Sequence, residues 1–139
     1  MLILDTNVIS ELRRGKPKQS PAVCAWAARQ PINTLYLSAI TVLEMEIGAR
    51  LMERKDARQG RTLRDWNEQV ADLFRGRVLV FSELTARACA PLHVPDKKSF
   101  RDSMIAATAL EHRFAVATRN VDDFAIDALQ VVNPWDFAG

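Results

Sequence analysis

Soft metal ligands are almost missing from this 139-residue chain, which has two cysteines and two histidines. Cys24 and Cys89 lie in apolar helical patterns without the paired spacing of a zinc site or disulfide framework, so both read as core residues of a protein in a reducing compartment. His112 ends a helical segment, where an imidazole offsets the helix dipole. No serine stands in a nucleophile-elbow context, which argues against a triad hydrolase. The five glycines, at positions 15, 48, 60, 76 and 139, form neither a dinucleotide fingerprint nor a P-loop, and nucleotide-cofactor chemistry has no anchor. No apolar run approaches the roughly 18 residues of a membrane-spanning helix, and Met1-Leu2-Ile3-Leu4-Asp5 lacks the basic start of a signal peptide. The expected location is the cytoplasm, away from membranes. A net charge of +2 is too small to point to a nucleic-acid partner by itself.

What is present is the balance of a folded protein, 48% apolar and 26% charged, in a length suited to a single domain over residues 1–139. Leu2-Ile3-Leu4 reads as a buried strand that feeds a helix through Asp5-Thr6-Asn7. Gly15 to Pro21 is a basic loop, residues 22–29 a short helix, and residues 34–38 a second strand. A long helix starts near Thr41, with a turn expected around Gly60 and an amphipathic continuation through Trp66, Val70 and Leu73. Residues 78–81 are a third strand, 84–92 a helix, 104–112 a small-residue helix, and 114–118 and 129–132 the last strands. Strands separated by helices predict an α/β layer fold with a mainly parallel central sheet, since parallel neighbours need a crossover.

In such sheets ligands gather at the carboxyl ends of the strands. Asp5 stands just past the first strand, Glu44 in the first turn of the long helix, Asp102 in the first turn of the helix ending at His112, and Asn120 just past the following strand. Carboxylates meeting there need a counter-charge, and hard oxygen ligands without thiolate or imidazole suit magnesium or manganese. Each also has a local alternative. Thr41 with Glu44 and Ser99 with Asp102 fit capping boxes, and Asp5 fits a helix cap. Helical spacing places Glu44 on one face with Ile47, Gly48 and Leu51, directed inward, while Glu46 is opposite and paired with Arg50. Asp102 shares its face with Ile105, Ala106 and Ala109.

Five segments in order carry a resemblance: Leu4-Asp5-Thr6-Asn7-Val8-Ile9-Ser10, residues 37–44 (LSAITVLE), Asp102 before Ile105-Ala106-Ala107-Thr108-Ala109, Val116-Ala117-Thr118-Arg119-Asn120, and Asn133-Pro134-Trp135. Together they resemble PIN-domain proteins of the VapC-like and FitB-like kind, toxins of type II toxin–antitoxin systems. The resemblance implies a three-layer α/β/α fold and a magnesium-dependent ribonuclease in which Asp5, Glu44 and Asp102 bind the metal, with manganese as a substitute. Asn120 takes the fourth catalytic position, often an aspartate, with Asp122 and Asp123 as alternatives and Asp123 rather a cap of the next short helix. Thr6 and Thr118 support the acids as neighbouring hydroxyls. One or two cations are implied to hold the scissile phosphate. Arg13, Arg14, Lys16 and Lys18, and Lys97, Lys98 and Arg101, are candidate RNA phosphate contacts, or else a solubilising surface. The implied partners are RNA, a cognate VapB-like antitoxin that places an arginine in the acidic site, a second copy of the chain packed through helices, and DNA reached only through the antitoxin. Two other readings compete: a catalytically silent module that regulates DNA binding with its antitoxin, and an acidic-site phosphotransferase or phosphatase.

Overall fold

The computed structural model describes all residues, 1–139. At its centre the apolar run Leu2–Leu4 forms β1, paired in parallel with β2 (Leu35–Ser38) on one side and β4 (Ala115–Ala117) on the other. Strands β3 (Val78–Leu79) and β5 (Val131–Val132) add to the edges, also in parallel, giving the order β3-β2-β1-β4-β5. Helices supply the long crossovers: α1 (Thr6–Glu11) and α2 (Pro21–Ala28) between β1 and β2, α3 (Ala39–Lys55) and α4 (Ala57–Leu73) between β2 and β3, and α5 (Glu83–Cys89) and α6 (Phe100–His112) between β3 and β4. The chain thus moves outward from β1 to β3, then returns to the other side of β1. That reversal opens a crevice beyond the carboxyl ends of β1 and β4, the place where open parallel sheets bind ligands.

Side chains along the strands alternate between two cores. Leu4, Leu35, Leu37 and Ala117 face one way and pack with Val8, Ile9, Val23, Trp26, Val70 and Phe74. Ile3 and Val116 face the other and pack with Ile105, Ala106, Ala109 and Phe124. The period of two makes both sheet faces apolar, which is why helices cover each of them. A fully buried Leu, Ile or Phe in these layers contributes about 1.5–3 kcal/mol. Alanines at 106 and 109 let α6 lie close to the sheet and carry its N-terminal turn to the crevice.

The structure departs from the sequence expectations at three places. The turn between α3 and α4 falls at Asp56 rather than near Gly60: the Asp56 N–H donates to Met52 O at 2.8 Å, and its carboxylate accepts from the N–H groups of Arg58 and Gln59. One acid therefore closes α3 and caps α4. Gly60 instead lies inside α4 against α3, where an added Cβ would stand 2.6 Å from Glu53 Cα. Next, α3 turns Thr41 and Ala49 inward with Met45 against the core, while Leu43, Ile47 and Leu51 are 55%, 47% and 58% exposed. Periodicity revealed an apolar stripe on α3 but not what covers it. Finally, Glu46 and Arg50 are exposed and form no ion pair with each other.

The close approach at Gly60 gives a direct test. Gly60→Ala should gain helix propensity yet lose about 1–3 kcal/mol of stability by forcing α3 and α4 apart. Urea unfolding measures it, and a variant as stable as the parent contradicts that packing.

Candidate active site

Asp5 follows β1 directly and is fully buried at the mouth of the crevice. Its N–H still belongs to the sheet, donating to Ala117 O at 2.9 Å, while its carboxylate caps α1 by accepting from Thr6 N–H at 2.7 Å. The cap expected from sequence is real and does not use up the side chain. Its second oxygen accepts from Thr118 Oγ1 at 2.7 Å and from Asn7 Nδ2 at 3.4 Å. Thr118, just past β4, also accepts the N–H of Asn120 at 3.0 Å. Asp5 is thereby fixed by groups from both central strands.

Ser38 is both the last residue of β2 and the cap of α3, its Oγ accepting the Ile40 N–H at 3.0 Å. Because strand passes directly into helix, Glu44 lies in the second turn of α3 and not the first. The Thr41–Glu44 capping box does not form. Thr6 Oγ1 donates to Glu44 Oε1 at 2.5 Å and is hydrogen-bonded with Thr41 Oγ1 at 3.2 Å, so the hydroxyl pair ties α1 to α3 behind the carboxylate. Asp102 occupies the third position of α6, where its N–H donates to Ser99 Oγ at 3.0 Å. Its carboxylate turns into the crevice instead of returning to the cap.

The three acids are joined by one side chain that the sequence assigned to phosphate contacts. Arg101 donates from Nε to Glu44 Oε2 at 2.5 Å, from one terminal nitrogen to Asp5 and from the other to Asp102. Burial works against the charge of this guanidinium, but hydrogen bonds and attraction from Glu44 and Asp5 raise its pKa above the ordinary arginine value. No residue pattern flagged this; the available signal was that Arg101 is the only cation in the first turn of the helix that carries Asp102.

Asn120 reaches the same edge but is exposed, and its side chain joins no hydrogen bond with the acids. Asp122 and Asp123 are exposed within the 3-10 turn Val121–Phe124 and stand outside the network; the cap of that turn is Asn120, not Asp123. His93 engages both ring nitrogens elsewhere, with Ser103 Oγ at 2.8 Å and Lys98 N–H at 3.3 Å. Of the basic residues, Lys16 pairs with Glu11 at 3.1 Å and so anchors its own loop. Burial opposes ionisation of Glu11, yet hydrogen bonds from Ser20 N–H and Lys16 hold its pKa below the ordinary glutamate value. Arg13 lines a recess with Thr6, Ser10 and Glu44.

Asp5, Glu44 and Asp102 converge on a single cationic group, and their donor atoms are all hard oxygens. That set suits magnesium or manganese by its chemistry. With the guanidinium among them, no three acidic, histidine or cysteine side chains are grouped as ligands of one ion in this conformation.

Comparison with known proteins agrees with this architecture. The PIN domain family matches residues 2–128. A VapC ribonuclease of Sinorhizobium fredii is 42% identical over 98% of this chain and 99% of its own length. Toxin FitB of Neisseria gonorrhoeae is 38% identical over 97% of this chain and 99% of its length. Among solved structures, FitAB bound to a DNA fragment superposes with a TM-score of 0.88 at 35% identity, covering 100% of this chain and 99% of the other. With a five-stranded parallel sheet between helical layers and these relatives over its full length, the chain belongs to the PIN-domain family, among its VapC-like and FitB-like toxins.

Proposed function

We propose that this chain, a single PIN domain, is a magnesium-dependent endoribonuclease and the toxin of a bacterial toxin–antitoxin pair. The observation that carries the reading is the convergence of Asp5, Glu44 and Asp102 on one cationic group in the crevice beyond β1 and β4. These three acids would hold the divalent ion, whose chemistry when bound is to neutralise a scissile phosphodiester and to lower the pKa of water for in-line attack. The chain's own residues supply order. Thr118, Asn7 and the Thr6 N–H fix Asp5, and the Thr6 hydroxyl fixes Glu44, so neither acid has to be reorganised on binding. Arg13, which lines a recess with Glu44, would meet the RNA backbone, and exposed Asn120 would take the fourth catalytic position.

The likeness to toxin FitB and to FitAB bound to a DNA fragment supports a cognate VapB-like antitoxin as partner and DNA contact only through it. No helix is long and apolar enough to cross a membrane. One feature favours the silent-module alternative: the three acids are already ion-paired to Arg101. A cleavage assay separates the two. Asp5→Asn should reduce magnesium-dependent RNA cleavage by about 100-fold or more with the fold intact, and should also relieve the growth arrest caused by expression without antitoxin. Undiminished cleavage by the variant, or harmless expression of abundant parent protein, contradicts the nuclease reading.

The apolar stripe Leu43, Ile47 and Leu51 on α3 supports a homodimer packed through helices, since an isolated chain would leave it in water. Ile47→Asp should convert a dimeric species to monomer in sedimentation, and a monomeric parent protein would remove the basis for this assembly.

A further inference from the structure

We propose that Arg101 is a resident counter-ion of the acidic site, holding Asp5, Glu44 and Asp102 together when no metal is bound and having to leave before a divalent cation can enter. The inference rests on the metal-binding reading of the site and goes beyond it by making the chain its own competitor for that metal.

Three observations lead there. First, all three donor directions of the guanidinium are used, each on a different carboxylate, and each carboxylate comes from a different element: Glu44 from α3, Asp5 from β1 and Asp102 from α6. The planar fork therefore does the joining that a cation would do. Second, Arg101 is the second residue of α6, at the positive end of the helix dipole. That is an unfavourable position for a cation, and the surrounding acids are what offset it. Third, the acids are held from behind by Thr6, Thr118 and Asn7, and Arg101 is the one cation that pairs with them, leaving the cluster with negative charge to spare for a divalent ion.

The two occupants exclude one another by position. The guanidinium lies between the three carboxylates, where an ion bound by all of them would sit, and magnesium would draw their oxygens in to about 2.0–2.1 Å. A flexible, half-buried side chain has a way out, because Arg101 keeps 31% of its side chain in contact with solvent and the neighbouring Phe100 is exposed. Metal affinity is then lowered by the free energy of three ion pairs that must be given up, as for any ligand that binds a minor conformer.

Calorimetric titration of the chelator-treated full chain with Mn2+ tests this. Arg101→Ala should bind Mn2+ at least tenfold more tightly than the parent, while melting at lower temperature in chelator and gaining more from saturating Mn2+. Arg101→Lys, which keeps the charge but not the fork, should fall between them. In the parent protein, the Arg101 Nε–H resonance should lose its Glu44-bonded shift as diamagnetic Mg2+ is added, a readout that does not depend on a variant folding. Equal or weaker Mn2+ binding by the alanine variant, or an Arg101 resonance unmoved at saturating Mg2+, overturns the competition while leaving the metal site standing. Absence of Mn2+ binding in parent and variants alike overturns the metal site itself, and this inference with it.

Discussion

Three carboxylates at one end of a parallel sheet repel one another unless a positive charge lies between them, and that demand organises the crevice. In this protein Arg101 meets it. Asp5 is fully buried, so loss of its cationic partner would leave a buried charge uncompensated, a change that in proteins costs about 3–5 kcal/mol. The same demand is what gives a divalent ion its affinity for such a place. The positive charge that Arg101 brings to these oxygens is the charge that the proposed divalent ion would bring in its place.

The fold serves this arrangement by bringing distant segments to one rim. Asp5 and Asp102 are 97 positions apart, yet the reversal of strand order at β1 sets the end of β1 beside β2 and β4 and points α6 at both. Strand ends pass into the following helices at Asp5 and Ser38 without intervening loops, so the acids inherit the rigidity of the sheet. Hydroxyls at Thr6, Thr41 and Thr118 then lock their orientation. Short connections and a buried sheet are the reason a small chain can hold three like charges within reach of one group.

Much of this was legible in the sequence, for identifiable reasons. Period-two apolar strands and crossover helices gave the parallel layer fold, and acids at strand ends and in the helices that follow marked the edge where Asp5, Glu44 and Asp102 meet. The resemblance to PIN-domain proteins, carried by segments around Asp5, Glu44 and Asp102, agrees with the family match over residues 2–128. What the sequence concealed depends on three-dimensional neighbours. The outward stripe on α3 has the same periodicity as a buried one, and the close contact at Gly60 is set by Glu53 on another helix. Thr41 offered a local cap, but Ser38 one turn earlier already provided it. Arg101 looked like one of several surface cations because its partners lie 57 and 96 positions away.

The central claim is that Asp5, Glu44 and Asp102 form one cation-binding centre. Crystals of the chain soaked in Mn2+ and measured at the manganese absorption edge test it most directly. The account predicts a single strong anomalous peak bounded by these three carboxylates, with the Arg101 guanidinium displaced from them. A map with Arg101 still joined to all three acids and manganese bound only elsewhere would contradict it.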